Sequence, residues 1–95
     1  MIERHVTFDV LSGHTAAFEQ FFIQDYRPAM SRMPGFIKVD LLREQDSPNF
    51  YHMVIRFESS EAAAAWRASP EHQALSPKLK MLYASSQLKV FEVIA

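Results

Sequence analysis

From Ile2 to Val10 the chain alternates. Ile2, Arg4, Val6, Phe8 and Val10 fall on one side, and Glu3, His5, Thr7 and Asp9 on the other. Period-two alternation is what a half-buried strand requires, because successive side chains leave opposite faces of a sheet. "SGHT", residues 12–15, breaks the run and supplies capping hydroxyls for a helix. From Thr15 to about Arg32 the apolar spacing becomes helical, with Phe18, Phe21, Phe22, Ala29 and Met33 near one stripe. Pro28 interrupts that stripe. It lacks a backbone donor and crowds the preceding turn, which predicts a kink or an early end.

"PGF" at 34–36 closes the helix and opens a second strand, "FIKVDLLRE". The polar turn "QDSPN" leads into a third, "FYHMVIRFE", so the two read as a hairpin. In the third strand Tyr51, Met53, Ile55 and Phe57 share one face, and Phe50, His52, Val54 and Arg56 the other. "SSEAAAAWRAS" reads as a short helix begun by a serine cap and filled with the best helix former. "SPEHQAL" restarts it: Ser69 caps, Pro70 takes the first helical position and Glu71 suits the positive N-terminus. Ser76-Pro77 is predicted to end that turn, and "SSQLKVFEVIA" is a final strand. The order βαββαβ predicts one α+β domain over residues 1–95. Its expected form is ferredoxin-like, a four-stranded antiparallel sheet with helices on one face.

Helices cover only one face of such a sheet. On the other, the first strand offers polar Glu3, His5, Thr7 and Asp9. The second and fourth strands read as apolar on both sides: Val39 and Leu41 against Phe36 and Leu42, then Leu88, Val90 and Ile94 against Phe91 and Val93. A strand apolar on both sides is usually buried on both sides. A second copy stacked sheet to sheet would bury it, which predicts a homodimer. The size of the chain points the same way. At 95 residues with no cysteine, it cannot supplement a small core with a disulfide.

Charge and composition narrow the functional classes. Ten basic and eleven acidic side chains leave a net charge of −1 with no basic run, which argues against nucleic acid as a partner. No apolar run approaches the roughly 18 residues that span a bilayer. The opening "MIERHVTF" lacks a signal peptide's layout, so no membrane partner and a cytoplasmic location are expected. With two glycines, and neither a GxGxxG nor a phosphate loop, a dinucleotide cofactor is not expected. Nor is a metal: His5 and His52 fall on the helix-free face of neighbouring strands, but neither a thiolate nor a convincing carboxylate cluster joins them. A solvated or hydrogen-bonded interface role, near Thr7 and Arg56, is expected for that pair, and His14 is expected to be an exposed turn residue.

Trp66, the only tryptophan, lies at helical spacing with Ala62, Ala65 and Ser69 and is expected to face inward. It either fills the core or forms the wall of an aromatic cavity with Phe18, Phe22 and Phe57, where a planar ligand would stack. His72 follows in the first turn of the restarted helix. That placement favours its neutral form, as a cap of the turn or as a base at the edge of a pocket.

"FDVLSG", "MPGF", "RFESSEAAAAW" and "SPEH" together resemble, in order and spacing, the antibiotic biosynthesis monooxygenase-like family. The resemblance covers nearly the full chain. It implies a dimeric α+β barrel with a pocket in each subunit, between its sheet and its helices. It also implies, among other activities, cofactor-independent oxygenation of aromatic polyketides or quinols. An electron-rich phenol would itself reduce oxygen in a dry aromatic slot, with His72 and Tyr26 as candidate polar groups. The competing expectation is a relative that binds a small hydrophobic ligand without oxygen chemistry. A haem-degrading branch of the family resembles this chain at Trp66. It calls for an asparagine where this chain has Val6 and an axial histidine where it has Ser76. Two of that branch's three signature residues are absent, and haem degradation is not the expected activity.

Overall fold

A computed structural model describes all residues, 1–95. The elements follow in the order β1 (Ile2–Val10), α1 (Thr15–Phe21), a π-helical turn (Phe22–Tyr26), α2 (Arg27–Ser31), β2 (Phe36–Arg43), β3 (Phe50–Phe57), α3 (Ser60–Ala68), α4 (Pro70–Lys80) and β4 (Tyr83–Glu92). The strands form one antiparallel sheet in the order β2-β3-β1-β4. This is the expected ferredoxin-like α+β architecture, with β1 and β3 side by side at the centre. The alternation in β1 and β3 sets the core. Ile2, Phe8, Val10, Tyr51, Met53, Ile55 and Phe57 are buried under the helices, together with Phe18, Phe22, Tyr26, Met30, Ala63, Trp66 and Leu79.

Three local expectations change. Pro28 does not end the first helix, which runs on to Ser31. A π turn precedes the proline, with the Arg27 N–H bonded to the Phe22 carbonyl five residues back. Widening the turn gives the proline ring room that a regular helix denies it. The same turn explains why the buried residues step by four, Phe18, Phe22, Tyr26 and Met30. In a regular helix each such step drifts by about 40°, and the extra residue of a π turn takes up that drift. The stripe thus holds Tyr26 and Met30 in the core and leaves Phe21 and Met33 half-buried.

Pro77, likewise, does not end α4, which continues to Lys80. The carbonyl that loses its donor belongs to Gln73, an exposed residue, so water can satisfy it. In β2, an irregularity between Phe36 and Lys38 shifts the register. Phe36 therefore packs with Val39 and Leu41 on the helix side, its ring 6.0 Å from that of Phe57. The open face of β2 carries Lys38, Asp40 and Leu42, and is less apolar than simple alternation predicts.

Gly35 is required where it stands. Its φ of +82° is a left-handed conformation, and an added Cβ would lie 2.6 Å from Ala62 Cβ on α3. The loop before β2 can approach α3 that closely only without a side chain.

Candidate active site

The two helical layers cover different parts of the sheet. The π turn lies over β2, where Phe22 borders a groove with Val39 and Leu41, whereas α4 approaches β4. Between them and the sheet lies a cleft of about 290 Å³. Its floor is the helix side of the sheet: Arg4, Val6 and Phe8 from β1, Met53 and Ile55 from β3, and Tyr83, Ser86 and Leu88 from β4. Its roof is Tyr26 from the π turn, Trp66 and Arg67 from α3, and His72, Ser76, Leu79 and Lys80 from α4.

Trp66, Tyr26 and His72 form one aromatic cluster. The indole meets the Tyr26 ring edge-on at 5.5 Å between centroids and the imidazole at 5.1 Å, and the Tyr26 and His72 rings are 6.3 Å apart. Ser69 fixes the α3–α4 junction that holds two of them together. Its Oγ donates to the Trp66 carbonyl at 2.7 Å and accepts the His72 backbone N–H at 3.1 Å. One buried hydroxyl thus joins the last turn of α3 to the first turn of α4. Trp66 is 1% exposed and Tyr26 6%, so both line the cleft from well-packed positions. The face of α3 that faces inward is Ala63 and Trp66, whereas Ala65 is exposed.

Phe18, Phe22 and Phe57 are buried but do not line this cleft. Phe18 packs against Phe8 and Tyr51 at 5.2 and 5.0 Å, and Phe57 against Phe36. These rings stabilise the far half of the core. The cleft's remaining aromatic wall is instead Phe8 and Tyr83, 5.0 Å apart. Phe8 was legible as an inward residue of β1. Tyr83 begins β4 and gives no periodic signal of its own.

Electrostatics set the protonation of the two polar aromatics. Burial pushes the Tyr26 phenol up to about 12, although Trp66 and the Arg4 charge pull the other way. It is a protonated donor at neutral pH. His72 is held below its ordinary value, first by burial and then by the positive charges of Arg67 and Arg4. The cause is thus mainly desolvation and neighbouring guanidinium groups rather than the helix terminus alone. His72 is neutral at pH 7 and able to accept a proton.

On the opposite face of the sheet, Glu3 accepts from Arg56 Nε and Nη2 at 2.9 and 2.7 Å and bonds His5 Nε2 at 2.8 Å. The hydrogen bonds of His5 and then Arg56 hold the Glu3 carboxyl below the usual range. The His5 ring also packs at a tilt against Phe91, 4.6 Å between centroids, and His52 lies opposite Thr7 across the β1–β3 pairing. No group of three or more histidines, cysteines or acidic residues is arranged to hold a metal ion. No helix is long and apolar enough to cross a membrane.

The sheet order and the helices on one face have counterparts in known proteins. Residues 1–78 match the family model for antibiotic biosynthesis monooxygenases, and the chain belongs to that family. Among solved structures it is similar to SnoaB, a cofactor-independent oxygenase from Streptomyces nogalater, in a single-substitution form. That match has 27% identity over 97% of this chain and 91% of that one, with a TM-score of 0.89. A second structure of SnoaB gives 26% identity, 99% and 93% coverage, and the same TM-score. A Nitrosomonas europaea protein at 18% identity covers 100% of both chains with a TM-score of 0.88 and shows the shared fold alone. No curated protein sequence matches the chain. Val6 and Ser76, which stand where the haem-degrading branch calls for asparagine and histidine, both line the cleft.

Proposed function

We propose that the chain is a cofactor-independent monooxygenase. In this reading it oxidises a planar phenol or quinol with dioxygen, in one cleft per subunit of a homodimer. The observation that carries this reading is the Tyr26–Trp66–His72 cluster, a largely dry aromatic wall bearing one neutral imidazole and one protonated phenol. Similarity to SnoaB, a cofactor-independent oxygenase, supports it.

The chemistry follows from the substrate. A neutral phenol reduces dioxygen poorly, whereas its anion is electron-rich. His72, kept neutral because burial and the positive charges of Arg67 and Arg4 hold its proton affinity below the usual value, takes the phenolic proton as a general base. The anion transfers electrons to dioxygen, and a carbon–oxygen bond forms at an activated ring carbon. Tyr26, still protonated, donates to the charge that develops on oxygen. Cleavage of the O–O bond leaves one oxygen atom on the ring as a quinone carbonyl. The other departs as water with the phenolic and ring hydrogens. Phenol plus dioxygen thus gives quinone plus water, with no external reductant.

Oxygen uptake in the presence of 1-naphthol and of reduced naphthoquinol tests this. A protein-dependent rate is expected, reduced about 100-fold in His72→Ala, as is usual for loss of a general base. Trp66→Phe is expected to weaken binding more than turnover. Binding of these compounds without any protein-dependent uptake would instead support the reading of a ligand-binding relative.

A further inference from the structure

The chain as a whole carries a net charge of −1, yet the cleft is positive. Three cationic side chains line it, Arg4, Arg67 and Lys80, and no aspartate or glutamate does. None of the three is neutralised within the chain. The four ion pairs are His5–Glu3, Lys38–Asp40, Arg43–Glu19 and Arg56–Glu3. Arg4 is the telling one. It sits on central β1, opposite Ile55 and Val90, at a position whose neighbours on the same face are the core residue Ile2 and the half-buried Val6. A half-buried guanidinium there bears a desolvation cost that is normally offset by a carboxylate partner. In the same sheet Arg56, on the opposite face, has such a partner in Glu3. Arg4 has none, and Arg67 stands near enough to lower its affinity for a proton further.

Three unpaired cations beside an aromatic wall, two of them guanidinium groups, are poorly explained by packing. A planar anion would satisfy them. Arginine presents a planar fork of donors that matches the two oxygens of a carboxylate. At about 290 Å³ the cleft lies at the lower end of small-molecule sites, which span about 300–1,000 Å³, and suits a ligand of about two fused rings. We infer that the substrate is a planar aromatic acid, its carboxylate held by Arg4 with support from Arg67 and Lys80 and its rings set against Trp66 and Tyr26. This rests on the aromatic-substrate reading and adds a requirement for charge. Holding the carboxylate near Arg4 would orient the ring so that its reacting hydroxyl faces His72. Arg4 is a specificity and positioning residue in this arrangement.

Calorimetric titration with 2-naphthoate and 2-naphthamide separates charge from shape, since the two differ in little but ionisation. At pH 7.5 and low salt the acid is expected to bind at least about tenfold more tightly than the amide, as charge-assisted hydrogen bonds imply. Arg4→Gln should abolish that preference, because the charge-dependent bond is lost. The double variant Arg67→Gln/Lys80→Gln changes two exposed positions, so it tests the same point without disturbing β1. It should reduce the preference by several-fold. Equal binding of acid and amide overturns the inference while leaving the aromatic pocket standing. A preference unaltered in both variants also overturns it, since the anion would then be held elsewhere. Failure of both naphthalenes to bind removes the aromatic-substrate reading, and this inference falls with it.

Discussion

At the scale of single residues, the candidate chemistry depends on how burial tunes two ordinary side chains. His72 is pressed toward neutrality by desolvation and by Arg67, Arg4 and Lys80, which reach it from α3, β1 and α4. The same shift links stability to pH. Its folded-state affinity for a proton is below that of the unfolded chain, whose value is about 6.5. Between those two values the unfolded state binds the proton first, so acid favours unfolding. The contribution is therefore fully present above about pH 6.5 and is lost as pH falls below it. Urea unfolding measured from pH 8 to 5 should show a decline in stability that is shallower in His72→Gln. Parallel curves for the two proteins would mean that His72 is no drier in the folded state than in the unfolded one. Glu3, whose carboxyl is held low by His5 and Arg56, acts in the same direction but in a separate, more acidic window.

At the scale of elements, Ser69 links two helices through one hydroxyl, and its pattern was readable from "ASPEH" alone. Capping is a contact between sequence neighbours, so the residues that make it lie together on the chain. Ser69→Ala should cost about 1 kcal/mol, as for other lost N-caps, and should also free His72 relative to Trp66. Chemical denaturation checks the first effect. The second would appear as a change in the emission of Trp66, the only indole. An unaltered midpoint would show that the buried hydroxyl bond contributes nothing net. The π turn was harder to read. The residues at 18, 22, 26 and 30 step by four, but a regular helical period assigns the stripe to Phe21 and Met33 instead. The register shift in β2 and the passage of α4 through Pro77 were invisible for a similar reason. A bulge or a tolerated proline depends on which carbonyls face water, and that is set by neighbours distant in sequence.

At the scale of the whole molecule, exposed apolar side chains collect on β4 and on the sheet's open face. Leu88 and Val90 are 44% and 53% exposed on the helix side of edge strand β4, and Phe91 is 45% exposed on the other. Leu42 and Phe50 add to the open face. An edge strand apolar on both faces is a liability unless it is covered. A second copy stacked on the open face would cover Phe91, Leu42 and Phe50, although β2 contributes less than its sequence suggested. Light scattering at micromolar concentration should give twice the chain mass, and Phe91→Glu should shift it toward a single chain. A monomeric mass for the unaltered protein would sink the dimer.

The sequence by itself determined the element order, the inward faces of β1 and β3, the serine caps, and Trp66 with His72 near each other. All of these arise from periodicity or from contacts between near neighbours along the chain. Only the tertiary structure decided which aromatic residues line the cleft. Phe18, Phe22, Phe57, Phe8 and Tyr83 are alike as apolar residues, and their separation depends on which half of the sheet each helix covers. Arg4 was decided in the same way. In the sequence it is one polar residue on an apolar face. In the fold it is an unpaired guanidinium beside Arg67, because α3 comes from more than fifty positions further along the chain to pack on β3, the strand next to β1.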